Sequence, residues 1–285
     1  MQILNYDNSE FDIIVLAGQS NAYGSGIGPC KTPWKEREDI LMLKNSFTCQ
    51  AVSNEEGEGN LLIIPIKEGC IERAKERFDK KYNENSTNLS YSFAKKYAEK
   101  YLQKDRKILI VNTAVGGTGF KSGHWRKGDQ LFKRMFDMVN SALKLNKNNK
   151  IVACLWHQGE CEIVRNKDLS FEDGFKYYHR HFTELFNSLR NTYGKDIPFI
   201  CGGFTHTLID KYELSGGIVL DVLKKVMAEN KNTKFVETFD LKSNADLGSD
   251  IFHFCNDALS ILGERYFDAY QQIMNYKERK WLCKF

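Results

Sequence analysis

The chain has 285 residues, 42% hydrophobic and 27% charged, with a formal net charge of +4. That length can bury a full core as one α/β domain. Charges of both signs are mixed along the chain, which argues against a nucleic-acid-binding surface, and no apolar run reaches the ~18 residues that span a bilayer. The segment Met1–Asp7 lacks the basic start and long apolar stretch of a signal peptide, so the expected location is the cytoplasm. Eight cysteines are present without any Cys-x-x-Cys spacing. Cys154 and Cys201 fall in predicted buried strands, and the expected state of all eight is the free thiol. His179 and His181 lie two apart in a predicted helix and point to different faces, so no metal site is expected.

The first predicted strand is Asp12–Ala17, followed by Gly18-Gln19-Ser20-Asn21-Ala22. A serine just past the end of a buried strand, with glycine beside it, is where an α/β hydrolytic enzyme holds its nucleophile. Ser-Asn after glycine is also ordinary turn chemistry, which is the competing reading. An irregular excursion follows from about Gly24 to Asn88. It holds Pro29, Pro33, the acidic run Glu55–Gly59 and the charged segment Glu72–Lys81, with short strands expected at Ile40–Leu43 and Leu61–Pro65. Loops this long in a compact domain are commonly lids or substrate walls, or else solvated excursions without a role.

Strand and helix then alternate. A helix is predicted over Leu89–Leu102 and a strand over Lys107–Asn112. Behind that strand stand Thr113-Ala114-Val115-Gly116-Gly117-Thr118. Next come a helix at Gln130–Leu145 and a strand at Ile151–Trp156, the latter running into His157-Gln158-Gly159-Glu160. In the helix Phe171–Tyr193, apolar residues recur at 3/4 spacing, as a stripe facing a sheet should. A strand at Ile197–Gly203, a helix at Ile218–Glu229, a strand at Lys234–Glu237 and a helix at Ala258–Met274 complete the pattern. His206, just past the fourth of these strands, is a lesser candidate for lining a crevice. The alternation argues for a parallel sheet with helices on both faces. Before the last helix stands Asp250-Ile251-Phe252-His253, compact enough for the carboxylate to orient the imidazole. Ser20, His253 and Asp250 together make the three parts of an activated serine nucleophile.

With these four segments in this order, the chain resembles the SGNH (GDSL-like) hydrolase superfamily over about Phe11 to Tyr270. More narrowly, Gly-Gln-Ser-Asn, Trp-His-Gln-Gly-Glu, Asp250-x-x-His253-Phe254 and Leu262-Gly263-x-Arg265-Tyr266 resemble the branch of sialic acid-specific 9-O-acetylesterases and family 6 acetylxylan esterases. The resemblance implies one domain over residues 1–285. Its fold would be a three-layer α/β/α sandwich, flavodoxin-like, with a five-stranded parallel sheet in the order 2-1-3-4-5. It implies Ser20 as nucleophile, His253 as base and then acid, and Asp250 as the orienting carboxylate, with Glu160 the alternative acid. Oxyanion donors would be the backbone N–H groups of Ser20 and Gly117 (or Gly116) and the Gln158 side-chain amide. Gln19 and Asn21, flanking the serine, are candidate substrate contacts. So are Trp125, which could stack on a sugar or simply pack, and Arg126, which could meet a substrate carboxylate or water. Cys161-Glu162 departs from the commoner Ser-Asp or Asn-Asp of the branch.

The expected function is removal of O-acetyl groups from a small acetylated saccharide, either a xylo-oligosaccharide or an O-acetyl sialic acid, through an acetyl-serine and without cofactor or metal. Two alternatives remain open at this point: a lysophospholipase-like or aryl esterase on the same fold, and a catalytically silent carbohydrate-binding protein. Oligomeric state is not legible.

Overall fold

The computed structural model describes residues 6, 8–30, 37–45, 61–66 and 87–282. The expectations placed on Pro33, Glu55–Gly59, Glu72–Lys81, Cys49, Cys70 and Cys283 lie outside the described residues. Seven described strands form one sheet: β1 (Phe11–Gly18), β2 (Ile40–Asn45), β3 (Leu61–Pro65), β4 (Lys107–Asn112), β5 (Lys150–His157), β6 (Phe199–Gly202) and β7 (Thr233–Val236). Their order is β3-β2-β4-β1-β5-β6-β7. All pairs are parallel except β2 with β3. The five expected strands keep the order 2-1-3-4-5, but the sheet is seven-stranded rather than five-stranded. The added pair comes from the excursion. The aliphatic run Ile40–Leu43 pairs alongside β4 and so covers an edge that would otherwise be open.

The described helices are α1 (Ser20–Tyr23), α2 (Leu89–Lys100), α3 (Gln130–Lys144), α4 (Glu160–Arg165), α5 (Phe171–Tyr193), α6 (His206–Lys211), α7 (Glu213–Glu229) and α8 (Asn256–Leu282). Side chains alternate across a strand, and this splits the core in two. Ile13, Val15 and Ala17 join one layer with Met135 and Val139 of α3, Phe182 and Phe186 of α5, and Val222 and Leu223 of α7. Ile14 and Leu16 join the other with Phe93 and Ala94 of α2 and Leu259, Leu262 and Tyr266 of α8. The central strands β1, β4, β5 and β6 are buried on both faces, which is why each reads as a near-continuous apolar run.

Helix starts follow local capping. Asn88 Oδ1 accepts the N–H groups of Ser90 and Tyr91 at 3.1 and 3.2 Å, and Ser170 Oγ accepts that of Asp173 at 3.1 Å. Each such cap is worth about 1 kcal/mol. α7 begins five residues before the predicted Ile218, through Gly216 and Gly217. A Cβ at Gly216 would lie 2.8 Å from Ile209 Cδ1, so the glycine is set by close packing on the preceding helix and does not end this one.

Candidate active site

The parallel strands β1, β4, β5, β6 and β7 bring their C-terminal ends to one edge of the sheet, and the candidate segments collect there. β1 ends at Gly18, with φ +134°; a Cβ at this position would lie 2.0 Å from the His157 carbonyl oxygen. Only glycine permits so close an approach of the ends of β1 and β5. Gln19 then donates its N–H to that carbonyl at 3.0 Å, and the chain turns directly into α1. Ser20 opens this short helix and is 5% exposed. N–H groups in a first turn have no intrahelical partner.

His253 lies on the loop that leads into α8. Its Nε2 is 2.9 Å from Ser20 Oγ and its Nδ1 is 2.6 Å from Asp250 Oδ1. Oδ1 also accepts the N–H groups of Phe252 and His253, both at 3.0 Å, and Oδ2 accepts Asn244 Nδ2 at 3.1 Å. Burial alone would raise the Asp250 carboxyl. The His253 hydrogen bond and charge outweigh burial, helped by Asn244 and the Phe252 N–H, and hold the group at about 2. It is therefore a carboxylate throughout the neutral range, facing an imidazole nitrogen that must carry a proton toward it.

Several supports of this loop left no signal in the sequence, because they bond main chain far away. Asn244 is fully buried; besides Asp250 it reaches Ser25 O at 3.1 Å and accepts the Ile27 N–H at 3.0 Å. It thereby ties the acid to the segment behind the serine. The hydroxyls of Thr205 and Thr207 both donate to Ile251 O, at 2.6 and 3.0 Å. His206 between them instead sits 3.7 Å from Asp246 Oδ1, half out in solvent.

The Gly116–Gly117 turn is brought beside the serine by Thr113 N–H to Leu16 O, 2.8 Å, and Val115 N–H to Gly18 O, 3.1 Å. Gly117 is exposed, with φ +73° and open space where a Cβ would be. The turn is anchored from behind by Glu162, whose Oε1 accepts the N–H groups of Phe120 and Lys121 at 2.5 and 3.1 Å. The departure Cys161-Glu162 thus has a structural role: a buried carboxylate strapping this turn to α4.

Gln158 differs from expectation. Its Nε2 is directed at Glu162 Oε2, Gln19 Oε1 and Thr118 O, and its Oε1 accepts from Tyr178. Two amide hydrogens face three protein acceptors, so none is left over for an oxyanion. The side chain braces the turn.

The flanking candidates also have protein partners. Gln19 is buried, its Oε1 accepting the Cys161 N–H at 3.3 Å in addition to Gln158. Asn21 is fully buried and bonds Glu160, Phe252 and Phe254. Trp125 is fully buried too; it packs edge-on to Trp156 and donates its indole N–H to Thr118 Oγ1 at 2.9 Å. That corrects its reading as a sugar platform, since an enclosed ring presents no face to a ligand. Arg126 is exposed but engaged by Asp129, 3.0 Å from Nε, so a substrate carboxylate would compete with an existing pair.

Glu160, the alternative acid, points elsewhere. Its Oε1 accepts Asn21 Nδ2 at 2.6 Å, while its Oε2 has no hydrogen-bond partner among the described residues. Burial pushes Glu160 and Glu162 each up to about 7. Burial likewise pulls His157 down to about 3, so it stays neutral; its Nδ1 is 3.0 Å from the Tyr266 hydroxyl. Among the described residues no group of three His, Cys, Asp or Glu side chains is placed to hold a metal ion, and no helix is long and apolar enough to cross a membrane.

An alcohol against an imidazole, backed by a carboxylate, on the carboxyl edge of a three-layer α/β/α fold marks the class: a carboxylic ester hydrolase of the SGNH type. The chain belongs to the carbohydrate esterase family of sialic acid-specific acetylesterases, whose model matches residues 10–272. None of the curated proteins matches it. Solved structures with this fold include NanS, with 16% identity and a TM-score of 0.72, covering 95% of this chain and 100% of that one. A protein from Arabidopsis thaliana shares 19% identity at a TM-score of 0.65, over 92% of this chain and 98% of its own. A carbohydrate acetylesterase from Xanthomonas citri shares 17% at 0.56, over 92% of this chain and 56% of its own.

Proposed function

We propose that this esterase removes O-acetyl groups from a small saccharide, an O-acetyl sialic acid or an acetylated xylo-oligosaccharide, through an acetyl-serine intermediate. Ser20 Oγ attacks the acetyl carbonyl carbon while His253 Nε2 takes its proton. The oxyanion forms against the backbone N–H groups of Ser20 and Gly117; one such donor is typically worth about 3 kcal/mol. The tetrahedral species collapses, the C–O bond to the sugar breaks, and His253 returns the proton to the departing sugar oxygen. Water, deprotonated by the same imidazole, attacks the acetyl-serine, and acetate leaves with Ser20 restored. Asp250 keeps the imidazole in the tautomer whose Nε2 faces the serine and stabilises the imidazolium.

The observation that carries this reading is the single imidazole spanning Ser20 Oγ at 2.9 Å and Asp250 Oδ1 at 2.6 Å. The test is Ser20→Ala, assayed by NMR on O-acetyl sialic acid and on acetylated xylo-oligosaccharides. Wild type should release acetate from one of them at a defined hydroxyl, and the variant should release none while keeping its fold. A serine-directed phosphonate should add once, at Ser20. Turnover by Ser20→Ala above a few per cent of wild type would refute the assignment, and failure on both sugars with turnover of a long-chain or aryl ester would refute the substrate class.

A further inference from the structure

The geometry points to Asn21 and Glu160 as a positioning pair that sets where His253 stands relative to Ser20; this rests on the reading of Ser20 and His253 above. Asn21 follows the serine directly, in the same helical turn. Its planar amide grips the main chain on both sides of His253: Nδ2 donates to Phe252 O at 2.9 Å, and Oδ1 accepts the Phe254 N–H at 3.0 Å. The residues next to the base are thus tied to the residue next to the nucleophile, across more than 230 positions of sequence, by one fully buried side chain.

The pair of bonds needs a donor at one end and an acceptor at the other, so the amide must face one way. Glu160 reinforces the orientation that Phe252 O and the Phe254 N–H set. Its Oε1 takes the second Nδ2 hydrogen at 2.6 Å. A flipped amide would set its oxygen against both Glu160 Oε1 and Phe252 O, and its NH2 against the Phe254 N–H, losing all three bonds. Asparagine alone among residues of this size supplies the three contacts: aspartate has no donor, and leucine has neither donor nor acceptor. Glu160 in turn is held by its place at the start of α4, directly behind Gln158-Gly159. Asn21, a candidate substrate contact by sequence, and Glu160, a candidate acid, take on one shared task. They act through His253 and do not touch the reacting atoms.

The consequence is kinetic. Misplacing a base by about 1 Å can cost roughly a hundredfold in rate, whereas neither residue contributes to binding the sugar. Asn21→Ala should lower kcat on a chromogenic acetyl ester roughly 10–100-fold with KM within about twofold, and should slow phosphonylation of Ser20 in parallel. Glu160→Leu, which leaves one buried Nδ2 hydrogen unpaired and removes a bond that holds the amide in place, should fall in the same range. Glu160→Gln keeps an acceptor and should be at least about tenfold better than Glu160→Leu. The double variant Asn21→Ala/Glu160→Leu should be little worse than either single, because the two act as a unit. Thermal melts establish folding for each; if Asn21→Ala does not fold, the Glu160→Leu against Glu160→Gln comparison decides. The pair is overturned by a folded Asn21→Ala with kcat within threefold of wild type, by losses that add in the double variant, or by equal effects of Gln and Leu at 160. If Ser20→Ala is itself active, the underlying reading falls and the pair with it. If Ser20→Ala is dead while Asn21→Ala is unimpaired, only the pair falls.

Discussion

Replacing Asp250 by asparagine keeps the side chain's shape and removes its charge. The carboxylate takes four hydrogen bonds: His253 Nδ1 at 2.6 Å, the Phe252 and His253 N–H groups at 3.0 Å, and Asn244 at 3.1 Å. Its pKa of about 2 stands against an ordinary 3.8. That difference corresponds to roughly 2–3 kcal/mol at ~1.36 kcal/mol per tenfold. The side chain is 30% exposed, and solvent screening reduces the figure to about 2 kcal/mol, or roughly 30-fold in kcat if the imidazolium of the transition state feels all of it. Asparagine brings a second loss. Its NH2 must face either Asn244 Nδ2, donor against donor, or Nδ1 together with two main-chain N–H groups. The latter favours the tautomer with the proton on Nε2, which cannot accept from Ser20. Together these effects should lower kcat by a factor of roughly 10²–10⁴. Glu160→Gln, which leaves Nδ1 with its carboxylate, should cost no more than about tenfold. Both variants are assayed as folded protein, on a chromogenic acetyl ester, with active sites counted by phosphonate. If Asp250→Asn stays within threefold of wild type while Glu160→Gln is crippled, the orienting acid is Glu160.

Three more outcomes are expected. The rate should rise from acid to neutral pH as the histidine base deprotonates; a flat profile in folded enzyme would contradict a histidine base. Glu160 is raised to about 7 from 4.5, so the native state holds a proton that the unfolded state has lost, and its contribution to stability falls as pH climbs from about 4.5 to about 7. Relative to wild type, Glu160→Gln should therefore gain melting temperature over that window, and a pH-independent difference would mean the carboxyl is not perturbed. Finally, EDTA and strong reductant should leave turnover intact; loss on chelation, restored by one divalent ion, would reveal a metal requirement.

The sequence by itself determined the elements whose pattern is local. The helix Phe171–Tyr193 matches at both ends, because its 3/4 stripe and its Ser170 cap are written in consecutive residues. The serine motif and the Asp-x-x-His motif were legible for the same reason: strand end, glycine and nucleophile fall within three consecutive residues, and two residues separate acid from base. What only the tertiary structure decided is where side chains with several possible partners point. Gln158 reads as a donor toward substrate until Glu162 and Thr118 are seen to take its hydrogens. Trp125 reads as a platform until Trp156 and Thr118 enclose it. Asn244, Thr205 and Thr207 carry no signal, because their partners are carbonyls and a carboxylate brought near by the loops at the sheet edge. The count of strands also had to wait, since Ile40–Asn45 and Leu61–Pro65 become sheet by pairing with each other and, through β2, with β4. Hydrophobic period and capping are properties of neighbours in the chain. Hydrogen-bond direction at a buried amide, and the register of an added strand, are properties of neighbours in space, and those neighbours exist once the parallel strands have brought their ends to one edge.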